Sequence, residues 1–301
     1  MMGDTGDNKG SDMSNLKADI VICVHNALED VRNCVASVQA TDYPRDQWNV
    51  VLVDDGSGPE TAAFLDQVVA QDPHVTLVRH DSAKGYTVAA NAGLAATQGD
   101  IAVLLNSDTV VPARWLQKIA RVFDHSPDIG LVGPLSNAAS WQTIPERSAP
   151  QGGWMVNDLP TGMSVDDFDA LVEEQAGIVP VIPRVPLLNG FCYAIRRDTI
   201  KALGGFDEVG FPFGFGEEDD FSLRTTNAGF GLALAVDTYV FHAKSKSFGS
   251  ERRNALTEAG QSQLKLKHGV DRLKRSVATM RDNPYIAMMR DAVKAKVAAR
   301  G

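Results

Sequence analysis

The sequence predicts an α/β fold: a mostly parallel central sheet with helices on both faces, followed by a helical C-terminal extension. Three observations carry this reading. Short apolar runs alternate with helix-patterned segments four times in about 90 residues, the pattern of right-handed βαβ units. The apolar runs show no in–out alternation, which marks strands buried on both faces. Of the 301 residues, 44% are hydrophobic and 22% charged, a balance that supports a packed core. No stretch approaches the roughly 20 apolar residues that a membrane-spanning helix requires.

Residues 1–17 read as a disordered leader, polar and without periodicity. It lacks the apolar region of a secretory signal. Ile20-Val21-Ile22-Cys23-Val24 is the first buried strand, and Leu28 to Ala40 carries Val31, Cys34, Val35 and Val38 at helical spacing. Val50 to Val53 is the second strand, ended by Asp54-Asp55-Gly56-Ser57-Gly58, with a helix from Pro59 toward Ala70. Val75 to Val78 is the third strand, Thr87 to Ala96 a small-residue helix, and Ile101 to Leu105 the fourth strand. A helix over Ala113 to His125 follows. Residues 134–186 are proline-rich and irregular, the kind of long segment that usually carries function. Leu187 to Ile195 and Leu232 to Phe241 read as strands, and Arg197 to Leu203 and Phe221 to Ala228 as helices. From about residue 251 the chain is basic and helix-forming. The domain reading is 1–17 disordered leader, 18–250 α/β body and 251–301 basic helical extension.

Charge is unevenly spread. Residues 1–241 hold 15 Lys+Arg against 33 Asp+Glu, a balance of −18, while residues 242–301 hold 14 against 5, a balance of +9. An acidic body speaks against nucleic-acid binding, whereas a basic tail suits an anionic partner such as a membrane surface. From Lys265 onward, Tyr285, Ile286, Met288 and Met289 add apolar contacts for peripheral membrane attachment. Cys23, Cys34 and Cys192 have no metal-like spacing, so a reducing cytoplasm is the expected compartment.

In an open parallel sheet, ligands bind beyond the carboxyl ends of the strands. There the chain places His25-Asn26, Asp54-Asp55 and Asn106-Ser107-Asp108. No G-x-G-x-x-G or P-loop signature follows these strands, so neither dinucleotide nor P-loop phosphate binding is supported.

Together, Val24-His25-Asn26, Val53-Asp54-Asp55-Gly56-Ser57, Lys84-Gly85-Tyr86 with Ala90-Asn91, and Leu105-Asn106-Ser107-Asp108-Thr109 resemble the first half of family 2 glycosyltransferases. Leu188-Asn189-Gly190, Gly204-Gly205-Phe206-Asp207-Glu208 and Gly216-Glu217-Glu218-Asp219-Asp220-Phe221 resemble the second half, completed by His242 and Ser247-Phe248-Gly249. The resemblance spans roughly residues 18–250 and implies a GT-A fold, a nucleotide-diphospho-sugar donor and inversion at the anomeric carbon.

It further implies a divalent cation, Mn²⁺ or Mg²⁺, held by Asp108, the last residue of the D-x-D element, and by His242. Asn106 stands where the family often has Asp, which turns it toward a ribose or a metal-bound water. Val24, His25, Asn26 and Asp54 are implied to line the nucleoside pocket, with Asp55 stabilising the turn. Lys84, Gly85, Ser107, Asn189 and Gly190 complete the implied donor site.

An attacking acceptor hydroxyl must lose its proton to a general base. In the acidic run, the family's base position falls on Glu218, with Glu217 and Asp219 as alternatives. Crowded like charges raise at least one carboxyl pKa. Asp220 and Arg224, four apart on a helix, suit an ion pair. Trp141, Trp154, Phe211, Phe213 and Phe215 are aromatic residues available to stack on sugars.

The implied activity is transfer of a sugar from a UDP or dTDP donor to a glycan or lipid-linked acceptor in cell-surface polysaccharide synthesis. A sugar-phosphate nucleotidylyltransferase would want a Gly-rich basic loop after strand one, where the chain reads His25-Asn26-Ala27-Leu28-Glu29. A non-catalytic binding module would not need Asp108, Glu218 and His242 together.

Overall fold

The computed structural model describes residues 14–244 and 250–300. Most of the expected leader and the Ser247-Phe248-Gly249 motif lie outside the described residues. Residues 14–17, expected as the end of the leader, are instead held against the body. Tyr43 Oη donates to Ser14 O (3.1 Å) and Leu16 O (2.7 Å), and Ile101 N donates to Lys17 O (3.0 Å).

The first half follows the expected alternation: β1 (Ala18–Val24), α1 (Leu28–Gln39), β2 (Trp48–Asp55), α2 (Pro59–Gln71), β3 (Val75–His80), α3 (Tyr86–Ala95) and β4 (Ile101–Asn106). These strands lie in the order β3-β2-β1-β4 and all pair in parallel. On α1 the buried face is Val31, Cys34, Val35 and Val38, the four positions picked out by spacing. Each such burial is worth about 1.5–3 kcal/mol for a full-sized apolar side chain. Helix α3 lies close to the sheet because Gly93 faces Val21 and Val53. A Cβ at Gly93 would come within 2.2 Å of Val21 Cγ1.

The second half contains β5 (Thr109–Val110), α4 (Trp115–His125), β6 (Ile129–Ser136), α5 (Val165–Ala176), β7 (Cys192–Arg196), α6 (Arg197–Leu203), α7 (Glu217–Asn227) and β8 (Gly231–His242). The complete order is β3-β2-β1-β4-β7-β6-β8-β5. Strand β7 runs antiparallel to both β4 and β6, and β5 antiparallel to β8, whereas β6 and β8 are parallel. The sheet is therefore mixed beyond β4, and the parallel pattern belongs to its first half.

Strand β6 and helix α5 fall partly or wholly in the segment read as irregular. Gly130, Gly133 and Pro134 dilute the strand signal of β6. Helix α5 does carry a signal: Ser164 Oγ accepts from Asp167 N (3.1 Å), and Asp167 Oδ2 accepts from Ser164 N (2.9 Å), a reciprocal capping box.

Three helices close the chain: α8 (Ser250–His268), α9 (Val270–Arg281) and α10 (Pro284–Ala298). They pack on the acidic body. Met280, Ile286, Met289 and Val293 are buried in the core cluster that includes Phe168, Leu171 and Tyr239. Lys296 pairs with Glu174 (2.8 Å), Lys294 with Glu146, and Lys267 with Asp207 (2.7 Å). Ile286 and Met289, expected at a membrane surface, are thus core residues. Tyr285 is half-buried and Met288 exposed. No helix among the described residues is long and apolar enough to cross a membrane.

Candidate active site

The strand ends of the parallel half converge as expected. After β1 the backbone turns through positive φ at Asn26 (60°) and Ala27 (54°), a conformation that Asn tolerates better than most residues. His25 Nδ1 contacts Asp55 O (2.8 Å), and Asn26 Oδ1 accepts from Gly58 N (2.8 Å), so the β1 and β2 loops form one unit. His25 and Asn26 are exposed at the rim, whereas the Val24 side chain is fully buried and presents only its backbone there.

The two aspartates after β2 are both structural cross-links. Asp54 is buried, with Oδ1 accepting from Ser57 N (2.9 Å) and Oδ2 from Arg79 Nε (2.9 Å). Asp55 Oδ1 meets His80 Nδ1 (2.8 Å) and Lys84 N (2.8 Å), and its Oδ2 accepts from Gly85 N (2.9 Å). Burial acts to raise the Asp55 pKa, but the His80 bond and the two amide donors hold it below the usual carboxylate range. The Lys84 side chain is exposed. Arg79 and His80 were absent from the sequence-based site because β3 was ended at Val78. Extending β3 by two residues places both at a strand carboxyl end, where the same rule would have found them.

Asp108 and His242 do come together. Their Oδ1 and Nε2 atoms are 3.2 Å apart, and β5 pairs Thr109 directly with His242. His242 is buried. Its Nδ1 contacts Ala138 O at 3.2 Å, its backbone N donates to Asn137 Oδ1 (2.7 Å), and Phe191 stacks on its ring at 5.4 Å. A carbonyl only accepts, so the Ala138 contact calls for a hydrogen on Nδ1, while Nε2 faces Asp108. An imidazole nitrogen and a carboxylate oxygen this close suit a direct hydrogen bond or a shared cation, and the carbonyl contact orients the imidazole as a ligand-supporting bond does. Asn106 Nδ2 lies 3.5 Å from the same Nε2. Among the described residues no group of three or more His, Cys, Asp and Glu side chains assembles around a point. A cation here would therefore draw its other oxygens from water or ligand.

The acidic run forms the first turn of α7, which starts at Glu217 rather than Phe221. Carboxylates there face the positive end of the helix dipole. Gly216 leads in with φ 136°, a conformation reserved for glycine. Glu217 is buried, and burial together with the Glu218 charge pushes its carboxyl well above the usual range. Burial and the Glu218 charge likewise push Asp219 up to about 8. Glu218 Oε2 is buried with no hydrogen-bond partner among the described residues. Asp220 is fully buried and bound by Arg224 Nε (2.8 Å), confirming the i,i+4 pair.

One short segment joins these two centres. Gly190 lies against Glu218, since a Cβ there would be 3.4 Å from Glu218 Cβ, and the next residue, Phe191, stacks on His242. Asn189 N donates to Gln142 Oε1 (2.7 Å), which fixes the segment. From the donor side, Gly85 abuts the loop at Pro212 and Phe213, with a Cβ only 2.6 Å from Pro212 O. The aromatic candidates divide. Phe211 is core, Trp154 (49%) and Phe213 (40%) are exposed, and Trp141 meets Trp154 edge-on at 4.7 Å.

Comparison with known proteins identifies the family. The model of glycosyl transferase family 2 matches residues 19–169. The β-monoglucosyldiacylglycerol synthase of Synechocystis is 28% identical over 191 residues, covering 63% of this chain and 36% of its own length. Glycosyltransferase AglE of Haloferax volcanii is 23% identical over 76% of this chain and 67% of its own. The O-antigen biosynthesis protein RfbC of Myxococcus xanthus is 28% identical over 81% of this chain and 18% of its own. This chain thus spans from about a fifth to two thirds of the length of these relatives. Among solved structures, mannosyltransferase PcManGT from Pyrobaculum calidifontis, in complex with GDP-Man and Mn²⁺, superposes with a TM-score of 0.64 at 19% identity. That match covers 96% of this chain and 77% of the other. GalNAc-T7 with UDP, GalNAc and Mn²⁺ gives 0.59 at 18% identity, over 93% and 55%. With half its length matched by the family model and a GT-A architecture throughout, the chain belongs to the family 2 glycosyltransferases.

Proposed function

We propose that the protein transfers a hexose or deoxyhexose, with inversion, from a UDP- or dTDP-sugar to a hydroxyl of a glycan or lipid-linked acceptor. The carrying observation is the Asn189–Phe191 segment, which sets Glu218 on one side and the Asp108–His242 pair on the other. An inverting transferase needs this division: a base on the acceptor side and charge stabilisation on the leaving-group side.

The nucleoside would rest against His25 and Asn26, with the Asp54–Arg79 pair and the Asp55-bound loop at Lys84 and Gly85 shaping its pocket. Asn106, Ser107, Asn189 and Gly190 would flank the ribose and the donor sugar. Asp108 and His242 would hold the divalent cation, Mn²⁺ or Mg²⁺, which supplies neutralisation of the departing diphosphate. Both solved neighbours were determined with Mn²⁺ and a nucleotide. Glu218 accepts the proton of the acceptor hydroxyl as its oxygen bonds to the anomeric carbon and the carbon–oxygen bond to the diphosphate breaks. Gly190 of the joining segment abuts Glu218 and neither alternative, which favours Glu218 as the base.

The relatives' names, a glycolipid synthase and an O-antigen biosynthesis protein, favour a lipid-linked or surface-glycan acceptor. Exposed Leu266, Val270 and Val277 with Lys265, Lys274 and Arg275 on α8 and α9 favour a cytoplasmic enzyme peripheral to an anionic membrane. The test is a nucleotide-sugar screen by thermal shift, with and without Mn²⁺, followed by NMR of the product anomer. Stabilisation by UDP- or dTDP-sugars and an inverted product are expected. A retained anomer would overturn the mechanism, and stabilisation only by GDP-sugars the donor class.

A further inference from the structure

We infer that helix α8, beyond the catalytic body, positions the base-bearing helix α7 and the aromatic loop before it, with Lys267 and His268 as positioning residues. The inference rests on the transferase reading for the role of Glu218. Its structural content stands on separate contacts.

Asp220 sits two residues after Glu218 and is fully buried. Its Oδ1 receives Lys267 Nζ and His268 Nε2, each at 2.7 Å, and its Oδ2 receives Arg224 Nε at 2.8 Å. Burial acts to raise this carboxyl, but the bonds from Lys267, His268 and Arg224 hold it below the usual range. Lys267 also reaches Asp207 Oδ2 (2.7 Å), and Asp207 Oδ1 accepts from the Val209 and Gly210 amides. Further along, Arg272 of α9 donates to Leu223 O (2.9 Å) and Thr226 Oγ1 (2.8 Å) on α7.

The loop of residues 211–216 is clamped by the same helix. A Cβ on Gly260 would lie 1.8 Å from Phe215 O, so α8 approaches the loop as closely as a glycine permits. Leu264 is buried against Gly216, and the Lys267 ammonium lies 5.5 Å from the centre of the Phe211 ring. On the opposite side, Thr87 Oγ1 donates to Phe211 O from α3. The loop runs directly into Glu217, so a displacement of α8 is passed to the base by backbone.

The arrangement does more than fill space. Four consecutive carboxyl groups repel one another, and Lys267 from α8 offsets the charge of Asp220, the one it contacts. Facing Asp220 are Arg224 on its own helix, Lys267 and His268 from α8, and the acidic neighbours Glu217, Glu218 and Asp219. Asp207 shares Lys267. Removing Lys267 therefore leaves Asp220 with one cation fewer in the acidic run that carries Glu218.

The experiment compares Lys267→Met, Lys267→Arg and Gly260→Val with wild type in the full chain. For K267M, nucleoside diphosphate affinity should stay within about twofold while kcat falls about tenfold, the scale expected of a misplaced catalytic group. Its acid limb should move to higher pH, and K267R should restore the wild-type profile. G260V should lower kcat without moving the acid limb. Amide exchange across residues 211–220, which needs no activity, should quicken in both K267M and G260V. Unchanged kcat, pH profile and exchange would overturn the inference, as would a change confined to Tm. If K267M does not fold, His268→Gln takes its place, and loss of fold in both assigns the cluster to stability alone. A wild type that neither binds nor turns over any nucleotide sugar would sink the transferase reading instead, while the exchange result still decides whether α8 holds α7.

Discussion

Glu218→Gln tests the proposed proton acceptor. An amide keeps the shape and the contact with Gly190 but takes no proton, so donor affinity should be preserved. Turnover should fall by about 10²–10⁴-fold, the usual contribution of a general base. A fall of less than tenfold, with a larger one in Glu217→Gln or Asp219→Asn, would move the role to that neighbour. Asp219 gives a second, independent check. Its folded pKa of about 8 lies above that of an unfolded carboxyl, so between about pH 4 and pH 8 the folded state holds a proton that the unfolded chain releases. Stability from this group therefore falls as pH rises through that window. Asp219→Asn removes the dependence, and its Tm advantage over wild type should widen from pH 5 to pH 8. A constant or shrinking gap would contradict the buried, charge-crowded environment. Asp55, Asp207 and Asp220 act in the opposite sense, because their lowered pKa values give stability that is lost only in acid.

Elements differ in how plainly the sequence announces them. Strands β1, β2 and β4 are legible because both faces are buried, so each holds a run of apolar residues bounded by polar turns, whereas β3 is a part-exposed edge strand read from its Val75, Leu77 and Val78. The polar residues at their ends were legible for the same reason. Strand β6 was not, since two glycines and a proline interrupt it and its pairing with β7 and β8 is a long-range property. The second half of the site depends on that pairing: Asp108 meets His242 only because β5 closes on β8. Motif order suggested the pair, whereas spacing 134 residues apart could not supply the 3.2 Å contact. Helix α5 shows a missed local signal. Its Ser164–Asp167 capping box predicts that Ser164→Ala lowers stability by about 1 kcal/mol, measurable by denaturant unfolding with activity intact at low temperature. No change would mean the cap contributes nothing beyond what solvent supplies.

Over the whole molecule, the basic extension answers the acidic body. Three of its lysines pair with the body: Lys294 with Glu146, Lys296 with Glu174, and Lys267 with Asp207 and Asp220. Deleting the extension would remove Met280, Ile286, Met289 and Val293 from the core, uncover Phe168, Leu171 and Tyr239 of the body, and confuse any surface measurement with unfolding. Charge reversal of the exposed Lys265, Lys274 and Arg275 is the cleaner probe. Co-sedimentation with anionic vesicles should fall in the triple Glu variant while binding to neutral vesicles stays low. Equal binding of both proteins to anionic vesicles would remove the membrane proposal.

Two centres, joined by Asn189–Phe191, are proposed to hold a metal–diphosphate donor and a base. Calorimetric titration of UDP and dTDP with and without Mn²⁺ tests this proposal most directly, using wild type, Asp108→Ala, His242→Ala and Glu218→Gln. Mn²⁺-dependent binding is expected in wild type and Glu218→Gln, weakened in His242→Ala and abolished in Asp108→Ala. Nucleotide binding that is indifferent to Mn²⁺, or equally metal-dependent in Asp108→Ala, would contradict it.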